Sequence, residues 1–302
     1  MAELALRFLV PLDYLRAPQP LPGDVWRELL NRRSEIPGLN YELRPDVEKV
    51  FLDVLVRTNT HGMRDRERML AKAPGVFRIA VVGDSFTFGF GVENEQTYPS
   101  VLEALLNGSA RSPHYEVLNF GVGGYSTHDE ALVLRHRVMA WDPDLILVGY
   151  VSNDPETDPI QPLHAYFHRA AWWQHVAVLR LGAALKNLFD IHFYGGGSYV
   201  RYLHSYPPKW QTVVGGFRDM HEVAAEHDVA IALAILDCEL HEKVAATATQ
   251  TGLIPLATHV ALAVHPREQT RQPDGHPTQL GHRLIAEAIR DELRRRELVP
   301  SE

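Results

Sequence analysis

From residue 76 onward, the chain alternates between two patterns of apolar and polar positions. Short, uninterrupted apolar runs recur, and each is followed by a longer stretch of helical type. The runs predict strands at residues 76–84, 115–122, 143–151 and 229–237, with a last short strand at 258–264. The stretches between and after them predict helices at residues 97–108, 126–141, 239–252 and 277–297.

The predicted strands are apolar along their whole length rather than at every second position. This pattern is typical of strands that are covered on both faces, and therefore of a parallel sheet between two helix layers. We expect an α/β fold over residues 76–302: a three-layer α/β/α sandwich of flavodoxin-like type with a mainly parallel sheet. In such sheets, binding and catalytic sites form at the C-terminal ends of the strands. Polar and glycine residues follow three of the predicted strands, at residues 83–85, 121–126 and 152–154.

Two segments lie outside this alternation. Residues 1–75 read as an N-terminal extension packing on the core, with a candidate helix at 23–36 and a strand or hairpin at 47–59. The second segment is a helical, aromatic-rich insertion at about residues 160–210, whose three consecutive glycines, 195–197, suggest a hinge or a loop tip. Core packing or a homo-oligomer interface is one interpretation of this insertion. The other is a lid or wall of a substrate pocket.

Composition excludes several classes of function. The formal net charge is -8 and no block of Lys and Arg appears, so we expect no nucleic-acid partner. The only cysteine, Cys238, excludes an intramolecular disulfide and a cysteine-based zinc site, and we expect it to be a small hydrophobe in or beside the core. The N-terminus lacks the pattern of a secretory signal, and no apolar run approaches the roughly 18 residues of a membrane span. These features predict a cytoplasmic protein without stable membrane insertion.

The polar residues at the strand ends match what acyl transfer from an ester requires. The reaction needs a hydroxyl nucleophile, a histidine that takes its proton, a carboxylate that orients the histidine, and donors for the oxyanion. Ser85 follows the first strand, and Asp274 and His276 lie just ahead of the last helix. The backbone N–H of Ser85, the N–H of a glycine in residues 121–124, and the Asn153 side chain are three candidate donors.

Four motifs, in this order, resemble the GDSL/SGNH hydrolase superfamily of esterases and lipases. They are GDSFTFG at residues 83–89, NFGVGG at 119–124, SNDP at 152–155 and DGHPTQLGH at 274–282. The stretch NTHGMRD at 59–65 is also similar to the lead-in of bacterial members. Each motif alone is weak, but together they are specific. The resemblance implies the SGNH hydrolase fold and ester hydrolysis through an acyl-enzyme.

The resemblance also implies a role for each matching residue. Ser85 matches the nucleophile and the first oxyanion-hole donor, and Gly124 and Asn153 match the second and third donors. His276 matches the general base and Asp274 the acid that orients it. No metal ion or organic cofactor is implied.

Two positions depart from the family pattern. Val151 stands where the third motif usually has glycine, which predicts a tighter pocket or a changed backbone near Asn153. Pro273 stands where the last motif usually has its aspartate, one residue before Asp274. This leaves two alternatives for His276: orientation by Asp274, or by a backbone carbonyl.

Other residues compete for some of these roles. The sequence leaves Gly121 and Gly123 as rivals of Gly124, and it leaves Asp84 as either a loop anchor or a support for the site. Asp154 and the helical His282 are expected to be structural. The i, i+4 pair His164 and His168 has no third ligand in the pattern, so a structural or surface role is expected rather than a metal site.

The sequence therefore predicts a serine esterase or acylhydrolase that acts on a small-molecule or carrier-linked ester. Two alternatives stay open. An O-acyltransferase would form the same acyl-enzyme and deliver it to another acceptor, and a catalytically silent binding protein would keep the fold alone.

Overall fold

The computed structural model describes residues 30–108, 113–157 and 177–300. Its N-terminal part contains two antiparallel hairpins, β1 (Asn31–Arg33) with β2 (Tyr41–Leu43) and β3 (Glu48–Phe51) with β4 (Val54–Arg57). The helix predicted at 23–36 is wrong over residues 31–36, because residues 31–33 pair with β2 and residues 34–36 are not helical. The remainder of that prediction up to residue 29 lies outside the described residues.

A five-stranded parallel sheet forms the centre of the molecule. Its strands are β5 (Val76–Gly83), β6 (His114–Asn119), β7 (Leu145–Val151), β8 (Ala230–Asp237) and β9 (Ile254–Leu256), in the spatial order β6-β5-β7-β8-β9. The predicted parallel sheet is confirmed. The strand predicted at 258–264 is wrong: residues 254–256 pair with β8, whereas Val260 and Val264 are exposed in turns.

Helices cover both faces of this sheet. The α-helices of the described residues are α1 (Ser85–Phe88), α2 (Tyr98–Asn107), α3 (Thr127–Val133), α4 (Ala177–Gly195), α5 (Tyr199–Ser205), α6 (Pro207–Glu226), α7 (His241–Gln250), α8 (Arg267–Thr270) and α9 (Gln279–Arg295). Along β5, Ala80 and Val82 pack into one apolar cluster with α3 and α6, whereas Ile79 and Val81 pack into a second with α2 and α9. The three-layer α/β/α architecture is therefore confirmed.

The described part of the segment predicted as an insertion consists of α4, α5 and the start of α6. Helix α4 leaves four large apolar side chains mostly exposed, namely Leu185, Leu188, Phe189 and Phe193. These side chains are not part of the core, and a homo-oligomer interface through them stays a prediction. In residues 30–108, 113–157 and 177–300, no helix has both the length and the apolar character needed to cross a membrane.

Candidate active site

Ser85 lies where the chain turns from β5 into the short helix α1. Gly83 ends the strand, and a Cβ atom there would lie 2.0 Å from Thr87 Oγ1, so glycine is needed for this tight turn. Asp84 caps α1, because its Oδ1 accepts the backbone N–H of Phe86 at 2.9 Å. Ser85 is thereby fixed as the first residue of a helix at the C-terminal edge of the sheet.

His276 lies on the loop between α8 and α9, and several hydrogen bonds fix the shape of this loop. Gln272 donates its backbone N–H to His276 O at 2.7 Å, and its side-chain Nε2 donates to the carbonyls of Phe90 and Pro277 at 2.7 and 2.8 Å. Arg271 Nη1 donates to Gly275 O at 3.1 Å. The imidazole is therefore held by a loop that is itself tied to the segment following α1.

The structure brings Ser85, His276 and Asp274 together at one edge of the sheet. His276 Nε2 lies 2.9 Å from Ser85 Oγ, and His276 Nδ1 lies 3.0 Å from Asp274 Oδ2. The second contact has ion-pair distance, but the ring N–H is not aligned for a formed hydrogen bond. Asp274 Oδ1 also accepts the backbone N–H of His276 at 3.1 Å.

The environment of His276 and Asp274 suits an imidazole paired with an ionised carboxylate. Partial burial alone would raise the pKa of Asp274, but its contacts with His276 outweigh this effect and hold the pKa below its ordinary value. On the other side of the imidazole, the Phe90 ring stacks at a centroid distance of 4.8 Å and an interplanar angle of 13°. The ring plane of His276 is therefore fixed by an aromatic neighbour as well as by Asp274.

The candidate oxyanion donors lie on the same cleft as Ser85. As the first residue of α1, Ser85 has an N–H that no helical carbonyl can accept. Gly124 lines the cleft with a φ of 84°, a conformation that favours glycine. Of its two rivals, Gly121 donates its N–H to Asn119 Oδ1 at 2.9 Å and is not part of the cleft wall, whereas Gly123 does line the cleft.

Asn153 reaches the cleft from the end of β7. Its Nδ2 lies 3.3 Å from Asp84 Oδ2, and its carbonyl accepts the N–H of Glu156 at 2.8 Å. The pairing of β7 with β8 shifts register between Tyr150 and Val151, so the strand is irregular just before the loop. Val151, which stands where the resemblance implies glycine, is 1% exposed and lines the cleft.

These residues surround one cleft of about 330 Å³. Its wall also contains residues that the sequence analysis did not assign to the site, namely Phe86, Phe90, Ser152, Asp237 and Gly275. Asp237 ends β8, and its position directly after an apolar run is a signal that could have identified it. Nothing in the sequence pattern distinguishes Phe90, because its role depends on stacking against a ring 186 residues away.

The other histidines and the cysteine that the sequence analysis considered are not part of the cleft wall in the described residues. His282 in α9 is fully buried, and its Nδ1 accepts the N–H of Tyr98 at 3.2 Å. Cys238 is buried in the apolar core, and burial raises the pKa of its thiol to about 12. The thiol therefore stays protonated and acts as a packing group. The expectation for His164 and His168 lies outside the described residues. Among the residues that are described, no group of three His, Cys, Asp or Glu side chains could hold a metal ion.

The model of the GDSL-like Lipase/Acylhydrolase family matches residues 81–284. Similar solved structures include TesA (14% identity, TM-score 0.49, covering 72% of this chain and 98% of that chain). They also include the lipase/acylhydrolase from Enterococcus faecalis (17% identity, TM-score 0.43, covering 73% of this chain and 96% of that chain). A third is the psychrotrophic esterase EstA from Pseudoalteromonas sp. (12% identity, TM-score 0.48, covering 74% of this chain and 99% of that chain). No curated protein sequence matches the chain.

Proposed function

Because this chain belongs to the GDSL-like lipase/acylhydrolase family, we propose that it is a serine esterase that cleaves a carboxylic ester through an acyl-enzyme on Ser85. One observation carries the proposal. Ser85 Oγ and His276 Nε2 belong to residues 191 positions apart in the sequence, yet they lie 2.9 Å apart at the rim of the sheet. A histidine at this distance from a serine hydroxyl is the arrangement that activates the hydroxyl as a nucleophile.

The first half of the reaction forms the acyl-enzyme. Ser85 Oγ attacks the ester carbonyl carbon while its proton passes to His276 Nε2. Asp274 remains ionised, and its lowered pKa favours this role, because a carboxylate beside Nδ1 stabilises the imidazolium that forms. The bond between the carbonyl carbon and the alcohol oxygen then breaks, and His276 gives its proton to the departing alcohol.

The second half releases the acid. Water takes the place of the alcohol, His276 accepts a proton from it, and the resulting hydroxide attacks the acyl carbon. The bond to Ser85 Oγ breaks, and His276 returns the proton to the serine. In both halves the negative oxygen is held by the N–H groups of Ser85 and Gly124 and by the side-chain amide of Asn153. None of these steps requires a metal or an organic cofactor.

The size and lining of the cleft support a small substrate. Ligand pockets span roughly 300–1,000 Å³, and the cleft volume of about 330 Å³ lies near the lower end of this range. Phe86 and Phe90 offer an apolar wall, whereas Asp237 offers a polar contact. We therefore expect esters with a short acyl chain to be hydrolysed better than those with a long one.

A panel of nitrophenyl esters of graded chain length tests this function. The wild type should hydrolyse the short esters, and Ser85→Ala and His276→Ala should lose the activity. Ser152→Ala is the matched control, because Ser152 lines the same cleft but lies outside the proposed mechanism. Equal hydrolysis by the wild type and Ser85→Ala would contradict the proposal.

A further inference from the structure

Asp84 contacts more of the site than its position in the turn requires. Its Oδ1 accepts the N–H of Phe86, which is the helix cap described above. Its other oxygen, Oδ2, has two further donors within reach: the hydroxyl of Ser85 at 3.2 Å and Nδ2 of Asn153 at 3.3 Å. One carboxylate oxygen thus touches both the nucleophile and the side-chain donor of the oxyanion hole.

We propose that Asp84 is a positioning residue, whose Oδ2 holds the Asn153 amide and the Ser85 hydroxyl in the geometry that acyl transfer needs. This inference rests on the proposed ester hydrolysis and assigns a role in it that is separate from Asp274. An asparagine amide has two N–H groups. When one donates to Asp84, the amide plane is fixed and the second N–H is presented to the cleft.

The surroundings of Asp84 favour a negative charge on its carboxylate, which the proposed positioning role needs. Asp84 is completely buried, close to two other buried acids, Glu130 and Asp154. Among the described residues, no donor makes a well-aligned hydrogen bond to the carboxyl oxygens of Glu130 or Asp154. Burial raises the pKa values of all three acids, and those of Glu130 and Asp154 are raised well above the ordinary range. The negative charge is therefore favoured on Asp84, the only one of the three whose carboxyl has three donors.

The serine hydroxyl has one proton and two acceptors within reach. It can donate to Asp84 Oδ2 at 3.2 Å or to His276 Nε2 at 2.9 Å. The shorter contact, with His276 Nε2, is the one that leads to reaction. Asp84 limits the rotation of the Ser85 hydroxyl to orientations between Asp84 Oδ2 and His276 Nε2. Near-attack geometry of this kind affects the rate of the chemical step rather than substrate binding.

An isosteric substitution separates positioning from helix capping. Asparagine is as good an N-cap as aspartate, so Asp84→Asn retains an oxygen for the N–H of Phe86. The same substitution places an NH₂ group, which cannot accept a hydrogen bond, opposite Asn153 Nδ2. Glu130→Gln is the matched control, because it makes the same change in the same buried group of acids without a contact to Ser85 or Asn153.

Kinetics with nitrophenyl acetate give the first readout. For Asp84→Asn we expect kcat to fall about 10- to 100-fold, with KM within about twofold of the wild type, because the donor is displaced and not removed. In an Asn153→Ala background the same substitution should cost much less, since the amide it positions is gone. Unchanged kcat in Asp84→Asn, or losses that multiply fully in the double variant, would overturn the inference.

The second readout does not depend on ester hydrolysis. In the ¹⁵N spectrum, hydrogen exchange of the Asn153 side-chain amide should be slow in the wild type and in Glu130→Gln, and at least tenfold faster in Asp84→Asn. Equal exchange in all three proteins would overturn the link between Asp84 and Asn153. A wild type that hydrolyses no ester but shows the expected exchange would instead reject the proposed function and retain this link.

Discussion

At the scale of single residues, the three proposed oxyanion donors differ in their origin. Ser85 and Gly124 contribute backbone N–H groups, which only a substitution to proline would remove. Replacing Gly124 would also strain the backbone, because its φ of 84° disfavours any residue with a Cβ. Asn153 contributes a side-chain amide at the end of β7, and its backbone carbonyl is separately bonded to the N–H of Glu156. Asn153 is therefore the donor that one substitution can remove cleanly.

Asn153→Ala should lower kcat for nitrophenyl acetate by about 10²- to 10³-fold, the usual effect of losing one oxyanion donor. KM should change little, because the amide acts mainly on the charge that develops in the transition state. Steady-state kinetics measure both values, with Ser152→Ala, the neighbouring cleft residue, as the control. Turnover within threefold of the wild type would show that Asn153 is not a donor.

The residues of the proposed triad could be selected from the sequence, but their supports could not. Ser85 and His276 stand out because each lies at the edge of a predicted element and within a recognisable motif. The contact of Asp84 with Asn153 joins residues 69 positions apart, and it depends on side-chain directions that no local pattern encodes. The choice between Asp274 and a backbone carbonyl for His276 likewise needed the position of the Asp274 oxygens, one of which lies 3.0 Å from Nδ1.

At the scale of elements, a buried ion pair connects α6 to the loop that follows β7. Glu156 lies three residues after Asn153, and its carboxylate pairs with Lys209 of α6 at 2.9 Å, with both side chains buried. Tyr199 of α5 also donates its hydroxyl to Glu156. The backbone that presents Asn153 is thus anchored by two helices.

Lys209→Met should destabilise the protein by about 3–5 kcal/mol, because it removes one partner of a buried ion pair. Urea unfolding measures the change in the free energy of unfolding. The double variant Lys209→Met/Glu156→Leu should recover much of the loss, since an apolar pair can replace a buried ion pair. A single variant as stable as the wild type would contradict this account.

Glu292 attaches α9 to the segment that follows β9. Glu292 accepts hydrogen bonds from Arg295 and from the N–H of Ala257, and the Arg295 bond is the main reason why its pKa falls to about 2. An unfolded glutamate titrates near pH 4.3. Because the folded pKa is the lower one, the stabilisation is fully present above about pH 4.3 and is lost as the pH falls towards 2.

The stability difference between the wild type and Glu292→Gln should therefore be constant from pH 5 to 7 and shrink below about pH 4. Urea titrations at several pH values measure it. Glu287→Gln in the same helix, whose partner Arg283 is exposed, serves as the control. A difference that grows on acidification would have the wrong sign.

The elements that the sequence predicted incorrectly are short and depend on distant partners. Residues 31–33 form β1 only because residues 41–43 lie beside them, and a helix-like local pattern cannot reveal that pairing. The apolar residues at 258–264 resemble a strand, but the sheet edge is already taken by residues 254–256. The hairpin at 48–57, in contrast, was among the predicted alternatives, and its turn places Leu52 and Asp53 at φ values of 49° and 62°, as a tight hairpin requires.

At the scale of the whole molecule, the parallel sheet brings the ends of its strands together, and the buried acids Asp84, Glu130 and Asp154 lie near these ends. The parallel sheet itself could be predicted, since continuous apolar runs indicate strands covered on both faces. The acids could not, because Glu130 lies on a helix whose sequence gives no sign of complete burial. A buried acid with a raised pKa holds its proton in the folded state and loses it on unfolding. It therefore makes the stability fall as the pH rises.

Glu130→Gln replaces one buried acid by an amide that does not titrate. Relative to the wild type, the variant should gain stability as the pH rises above about 4.3, by at most about 1.4 kcal/mol per pH unit. Thermal or urea unfolding between pH 4 and 8 measures the slope of the free energy of unfolding against pH for the wild type and for the variant. Parallel slopes would mean that Glu130 is ionised in the folded protein.

The most direct measurement of the central claim is the intact mass of the folded protein after treatment with a fluorophosphonate. Since Ser85 is proposed to be the activated nucleophile, the wild type should gain one adduct, and peptide mapping should place it on Ser85. His276→Ala should react far more slowly and Ser85→Ala not at all. No adduct on the folded wild type, or an adduct on Ser152 instead, would contradict the account.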